Sequence, residues 1–360
     1  MGCCEATNPV LRGAVAADRR WPAVGVAWDR RTALKGLLGA AGVIAVSGCA
    51  DPPSDGSTSV RLAFCGQLLC VIPYEVARVR GHFTDRGLAA ELVYTRGGSA
   101  AMQALVGGSV DYAGTSFDVA LQAAANGAAI RRVASTGRLP LFALGVAPDR
   151  ATAITAVSDL AGRTVGVSGL GNADHALLLY LLDRNGVNPR AGDSAAIGTN
   201  LFDALRLGQV DAGMLQEPAL SLVIEAGGRE LVNFMDLTEA ERHVGGAYEF
   251  MGVSVRADER DQRLDEIRRL AAALAAGLRD TRQLPVADVL SALPSALVAG
   301  GDLDHLGEIV ERYRTSLYPE SVAIDREAAA RVQRAQEVAG LLTPGDVELD
   351  SLLDLGALSG

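Results

Sequence analysis

Ala104-Leu105-Val106-Gly107-Gly108-Ser109-Val110-Asp111 returns one hundred positions later as Ala204-Leu205-Arg206-Leu207-Gly208-Gln209-Val210-Asp211. Each copy predicts a helix closed by glycine and then an abrupt strand, because glycine adopts the left-handed turn at a helix end without steric cost. A polar turn and a new helix follow each copy: Thr115-Ser116-Phe117-Asp118-Val119-Ala120-Leu121 and Gln216-Glu217-Pro218-Ala219-Leu220. Pro218 suits a first helical position. These residue types are common, so either copy alone reads only as a βαβ unit. Their recurrence one lobe-length apart predicts a pair of similar α/β lobes.

Outward from the first copy, β-rich runs at 60–64, 91–95, 110–113 and 131–135 alternate with helical runs at 71–81, 99–106 and 116–125. Strands separated by helices of about ten residues indicate parallel βαβ units with right-handed crossovers. Runs 140–146 and 250–255 bracket the second unit, and both are apolar and β-prone. They are read as segments crossing between lobes. The expected fold is α/β, with two Rossmann-like lobes and a ligand cleft between them. Lobe one takes 60–146 and 251–360, and lobe two 147–250. Helical periodicity at 264–278, 303–313 and 328–342 predicts a tail packed on lobe one.

The first 48 residues read as an address. Arg30-Arg31-Thr32-Ala33-Leu34-Lys35 precedes ten apolar or small residues, 37–46, and then Val46-Ser47-Gly48-Cys49. A spanning helix needs about 20 such residues. The stretch resembles a twin-arginine export signal fused to a bacterial lipobox. That resemblance implies export, lipidation at Cys49 and anchoring on the outer face of the cytoplasmic membrane. Residues 49–59, with Asp51-Pro52-Pro53-Ser54-Asp55-Gly56-Ser57, then form a flexible tether.

Composition narrows the function classes. Beyond residue 48 the chain carries 27 basic and 40 acidic residues. Such a surface repels nucleic acid. Forty-one glycines and 4% aromatics argue for tight turns and small-residue helix packing rather than an aromatic cage. His82, His175, His243 and His305 are scattered without metal-ligand spacing. Cys65 and Cys70 can either bridge across the first loop or remain two partly buried thiols. Lys35 is the only lysine. Neither a cofactor nor a metal is expected, and a monomer is.

Several motifs together carry a family resemblance. Pro73-Tyr74-Glu75-Val76-Ala77, Gly81-His82-Phe83, Gly87-Leu88 and the first Gly-x-Val-Asp open it. Asp159-Leu160-Ala161-Gly162-Arg163-Thr164-Val165-Gly166-Val167 follows, then Gly208-Gln209-Val210-Asp211-Ala212 with Glu217-Pro218. From about residue 60 to 255 the chain resembles substrate-binding proteins of the nitrate/sulfonate/taurine and thiamine-pyrimidine type. The resemblance implies a type-two periplasmic binding fold, a small solute in the interlobe cleft, and ABC permease and ATPase subunits as partners. A binding lipoprotein serving a sensor is the alternative. Relatives that make the thiamine pyrimidine with pyridoxal phosphate need a lysine amine, which the chain lacks after Lys35.

Open α/β sheets bind ligands beyond the carboxyl ends of their strands. Those loops offer Cys65, Gln67, Arg96, Gly97, Gly98, Ser99, Thr115, Ser116 and Phe117 in lobe one. In lobe two they offer Ser168, Gly171, Asn172, Gln216 and Glu217. Ser99, Ser116 and Asn172 each precede a helical run, where such residues either cap the helix or meet a ligand. Arg96 suits an anion. Asp118, Asp174 and Glu217 sit near first helical turns and would oppose one; facing inward, they would favour a neutral or amine-bearing solute.

If Cys49 carries lipid, Cys49→Ser is expected to move the protein from the membrane fraction to the soluble exported fraction. Fractionation showing unchanged membrane retention would remove the lipobox reading.

Overall fold

The computed structural model describes residues 56–66, 68–190, 192–298 and 302–358. The leader with Cys49, and the cleft-loop residue Gln67, lie outside the described residues. The first lobe runs β1 (Thr58–Cys65), α1 (Leu68–Val79), β2 (Leu88–Thr95), α2 (Gly98–Val106), β3 (Tyr112–Ser116), α3 (Phe117–Ala125) and β4 (Ile130–Ser135). The second runs β5 (Ala143–Val146), β6 (Thr164–Val167), α4 (Ala173–Arg184), β7 (Asp193–Ala196) and α5 (Leu201–Arg206). It continues through β8 (Ala212–Leu215), α6 (Ala219–Glu225), β9 (Arg229–Asn233) and α7 (Leu237–Val244). Strand β10 (Met251–Arg256) returns to the first sheet. The tail adds α8 (Leu264–Gln283), α9 (Val286–Ser291), α10 (Ser295–Val298), α11 (Leu303–Leu317), α12 (Arg326–Val338) and α13 (Leu349–Leu352).

Two five-stranded sheets result, ordered β2-β1-β3-β10-β4 and β7-β6-β8-β5-β9. The orders are equivalent position for position. In each, three parallel strands meet one antiparallel strand that arrives from a crossing, β10 in one and β5 in the other. The expected two-lobed α/β fold is the observed one.

The sequence repeat is visible as a repeated contact. Asp111 accepts the Arg61 backbone N–H at 2.7 Å, and its own N–H donates to the Arg61 carbonyl at 2.9 Å. Asp211 does the same with Thr164, both bonds at 2.9 Å. Each aspartate therefore pins the approach to one strand against its parallel neighbour. The strands begin one residue later, at Tyr112 and Ala212, rather than at the Val-Asp pair. Gly108 and Gly208, with φ of 73° and 65°, supply the left-handed turns.

Run 140–146 belongs to the second lobe rather than to the first, a correction to the expected boundary. β5 lies inside the second sheet, antiparallel to both β8 and β9, and all four of its residues are buried. An apolar run that pairs on both edges belongs mid-sheet. The crossing lies just before it. Thr136 and Gly137 donate to the Met251 carbonyl at 2.7 and 2.9 Å, Phe250 donates to Gly137 at 2.9 Å, and Tyr248 donates to Arg138 at 2.9 Å. The two crossing segments thus run side by side as a hydrogen-bonded ribbon. At Gly137 a Cβ would stand 3.1 Å from the Met251 Cβ, a tight contact that glycine relieves.

Nor is the tail confined to lobe one. Helix α8 packs on α1, whereas α12 packs on both α4 and α3. From α11, Tyr313 accepts from Asn233 at 2.9 Å and donates to Glu217 at 3.2 Å. Among the described residues no helix is long and apolar enough to cross a membrane.

Arg132, on β4, is wholly buried. Its guanidinium donates to the carbonyls of Thr115 (2.9 Å), Gly252 (2.7 Å) and Phe250 (2.9 Å), and lies 3.5 Å from Glu249. Glu249 is also buried and accepts from Ser135 at 3.0 Å. Burial pushes this carboxyl up to about 7, against the pull of Arg132. Arg132→Met is expected to cost about 3–5 kcal/mol, the range for stranding one member of a buried charge pair. Adding Glu249→Met should recover part of the loss in denaturant titrations; no recovery would mean that the arginine acts through the carbonyls alone.

Candidate functional site

In lobe one the strand end Thr115–Ser116 leads directly into α3. Ser116 has the extended backbone of an N-cap (φ −62°, ψ 153°), yet its side chain makes no capping bond. Thr115 and Ser116 are both buried, and neither hydroxyl has a hydrogen-bond partner. Asp118, in the first turn of α3 and 1% exposed, accepts from Gln336 Nε2 at 2.7 Å through Oδ1, while Oδ2 has no partner. Burial, with the charge of Asp174 adding to it, raises this carboxyl to about 7.

In lobe two the loop after β6 folds on itself. Asn172 occupies the N-cap of α4 without capping it; its Nδ2 donates to Ser168 Oγ at 2.9 Å. Ser168 donates its hydroxyl to Asp174 Oδ1 at 2.7 Å and its backbone N–H to Oδ2 at 2.6 Å. Asp174 is buried, and burial lifts its carboxyl to about 6 despite those bonds. The expected choice between capping and ligand contact therefore splits. The serine and asparagine at the helix starts are not caps, whereas Asp174 does gather nearby N–H groups.

The lobes meet at this point. Gln122 on α3 donates to Gln336 Oε1 at 2.9 Å and to the lobe-two carbonyl of Gly171 at 3.4 Å. Gln336, on α12, is wholly buried and completes the chain to Asp118.

Beside Asp174 lies a cavity of about 180 Å³ at the carboxyl ends of β6, β7 and β8, where an α/β sheet is expected to bind. Ser168, Gln216 and Glu217 line it, as expected from the loops, together with Phe142, Gly198, Thr199, Asn200, Phe202 and Met214. The Thr199–Asn200 pair was missed in the sequence, because β7 is a weak strand, Asp-Ser-Ala-Ala, with little apolar signal. Phe142 was missed because it precedes β5 in the crossing. It stacks edge-on against Phe250, whose carbonyl accepts the Phe117 N–H at 2.7 Å, which joins the cavity wall to the start of α3. Glu217 accepts from Ser221 N–H and Oγ at 3.1 and 2.9 Å, so part of its role is to hold α6. The Glu217–Pro218 peptide is cis, and α6 begins at Ala219.

The remaining expected residues divide. Gly97 and Gly98 are buried and Ser99 half-buried at the start of α2, none of them lining this cavity. Arg96 is exposed, beyond the edge strand β2. Cys65 is buried at the end of β1 and Cys70 in the first turn of α1; the two thiols are not bridged. Among the described residues no cluster of His, Cys, Asp and Glu could hold a metal ion.

A family model described as NMT1/THI5 like matches residues 70–287, more than half of the chain. The chain belongs to that family. A comparison with curated proteins gave no match. Solved structures do match. A protein of Bordetella bronchiseptica RB50 superposes with a TM-score of 0.69 at 23% identity, over 84% of this chain and 96% of its own. The periplasmic aliphatic sulphonate binding protein SsuA of Escherichia coli gives 0.64 at 19% identity, over 81% and 96%. The periplasmic nitrate-binding protein NrtA of Synechocystis PCC 6803 gives 0.64 at 14%, over 84% and 88%. At these identities the likeness establishes the fold, that of the periplasmic binding proteins.

Both buried aspartates stand above the ordinary carboxyl value of 3.8. Between about pH 4 and 7 the folded protein holds protons that the unfolded chain has released. Their stabilising contribution is therefore full at low pH and drains as pH rises, by about 1.4 kcal/mol per unit separating folded and unfolded values. In the ligand-free protein Asp118→Asn should flatten that decline, so its melting temperature gains on the parent between pH 4 and 7. Parallel melting curves would show that Asp118 does not titrate in this window.

Proposed function

We propose that the protein is the extracytoplasmic solute-binding component of an ABC importer, taking up a small nitrogen- or sulfur-containing solute and handing it to permease and ATPase subunits. The observation that carries this reading is the paired architecture. Two sheets of one order are joined by a two-stranded ribbon, and polar loops converge where the lobes touch. The sulphonate-binding and nitrate-binding proteins that share the fold support it.

The residues proposed to meet the solute are Thr115, Ser116 and Phe117 from lobe one and Ser168, Gly171, Asn172, Gln216 and Glu217 from lobe two. Ser99, with Gly97 and Gly98, is proposed to contribute from the start of α2. A binding role rather than an enzymatic one is favoured by the absence of lysine among the described residues, which removes Schiff-base chemistry. Lipidation at Cys49 would hold the protein beside its permease.

A ligand that binds the folded form stabilises it by mass action, and a ribbon hinge allows the lobes to close on it. In a thermal-shift screen of ethanesulfonate, taurine, nitrate and 4-aminopyrimidine, at least one solute is expected to raise the melting temperature. The same solute should shrink the radius of gyration in small-angle scattering. A solute that stabilises without compaction would place binding outside the hinged cleft.

A further inference from the structure

The cavity of about 180 Å³ belongs to one lobe. Every residue that lines it comes from the second lobe or from the crossing that enters it. Leu201, the first residue of α5, is seated against the sheet where β6 and β8 both carry glycine. A Cβ at Gly166 would overlap Leu201 Cδ1, and one at Gly213 would stand 2.9 Å from it. The start of α5 is thereby drawn down onto the sheet. Phe202, the next residue, is half-buried and held at the cavity wall. Phe142, Met214, Leu215 and Leu222 complete an apolar lining.

The charged groups at the cavity are all acidic, and each is already engaged. Asp174 takes the Ser168 hydroxyl on one oxygen and the Ser168 N–H on the other, at 2.7 and 2.6 Å. Glu217 takes Ser221 on one oxygen and the Tyr313 hydroxyl on the other, the latter at 3.2 Å. Asp203 pairs with Arg206 at 3.2 Å. Among the described residues no lysine, arginine or histidine lines the cavity. An anion would therefore meet three carboxylates and no countercharge. A cation would give up its water to Asp174 and Glu217, whose oxygens already hold donors. An uncharged apolar group meets neither cost and gains by leaving water. The cavity volume compares with roughly 150 Å³ for an apolar cavity that stays dry and holds benzene. A solute of a few polar atoms would leave most of the apolar lining uncovered.

We propose that this cavity takes the uncharged apolar body of the solute, about one six-membered ring in size, and that Phe202 and Leu222 are the residues that set this preference. This rests on the solute-binding reading and adds to it the class of solute.

The test uses matched probes. Benzamide, benzoate and benzamidine share one shape and are neutral, anionic and cationic at neutral pH; acetamide keeps the amide and lacks the ring. Calorimetric titration of the parent protein is expected to rank benzamide at least about tenfold tighter than each of the other three. Phe202→Ala should weaken benzamide by about tenfold, as expected when the apolar contact of one ring is lost, and Phe202→Leu should restore most of it. Leu222→Ala, on the opposite loop, serves as the second variant should the first fail to fold, and is expected to act in the same direction. A merely structural role for either residue would lower the melting temperature and leave benzamide affinity unchanged. Unchanged affinity in both alanine variants would thus overturn the assignment. Tighter binding of benzoate or benzamidine than of benzamide would overturn it while leaving solute binding intact. So would a parent protein that binds ethanesulfonate or nitrate with compaction and none of the ring probes. If no solute of either set binds, the solute-binding reading fails and the assignment falls with it.

Discussion

The guanidinium of Arg132 is the interaction on which the rest of the molecule depends. A strand from one side of the sheet sends a charge through the core and fastens three carbonyls, Thr115 on β3, Gly252 on β10 and Phe250 just before β10. Two of these, Phe250 and Gly252, belong to the returning chain just as it leaves the hinge; the third, Thr115, is the strand end that opens the cleft. Hinge and binding face are thereby built from the same bonds. The crowding is severe enough to dictate sequence: a Cβ at Gly252 would lie 2.5 Å from Arg132 Nε and 2.3 Å from the Ala134 carbonyl. Burying an arginine costs desolvation that only such dense pairing offsets. The position of Thr115 and Ser116, with their unpartnered hydroxyls, follows from that anchor.

The repeat around Asp111 and Asp211 shows how duplication survives in structure. The side chains around the two aspartates have diverged, yet each still clips a strand to its parallel partner with the same pair of bonds. What differs is the use made of the following turn. In lobe one it ends in buried, unpaired hydroxyls; in lobe two it becomes Gln216 and Glu217, with the glutamate drawn into holding its own helix. A duplicated scaffold has thus given two faces of different chemistry, one with buried hydroxyls lacking partners and one whose glutamate is held by its own helix.

Much of this was legible in the chain. Strand and helix alternation, the glycine turns and the crossing segments are local features, and local features survive translation into three dimensions. Sheet order does not, and it decided the main departures. Arg96 reads as a cleft residue because it follows a strand, but β2 is the edge of its sheet, whereas Thr115 follows β3 in the middle. The β5 run reads as apolar whichever sheet it joins. Arg132 was hidden in Arg131-Arg132, where only strand alternation could say that one arginine faces out and the other in. Asp118 and Asp174 were visible as charges at helix starts, but burial and mutual proximity are properties of lobes brought together, not of either segment.

Helix α12 has a mechanical consequence. A ribbon of two strands alone would let the lobes swing like a door. Here a third element leans on both leaves, through α4 on one side and through Gln336 to Asp118 on the other. Opening the cleft must therefore slide one helix face past another, and the side that keeps the helix sets which polar atoms water reaches first. Gln336 bonds Asp118 directly, so the helix is tied to the first lobe at its most buried point. In that motion the tail works as a gasket pressed against both leaves, through the α4 face on one side and the Gln336–Asp118 bond on the other.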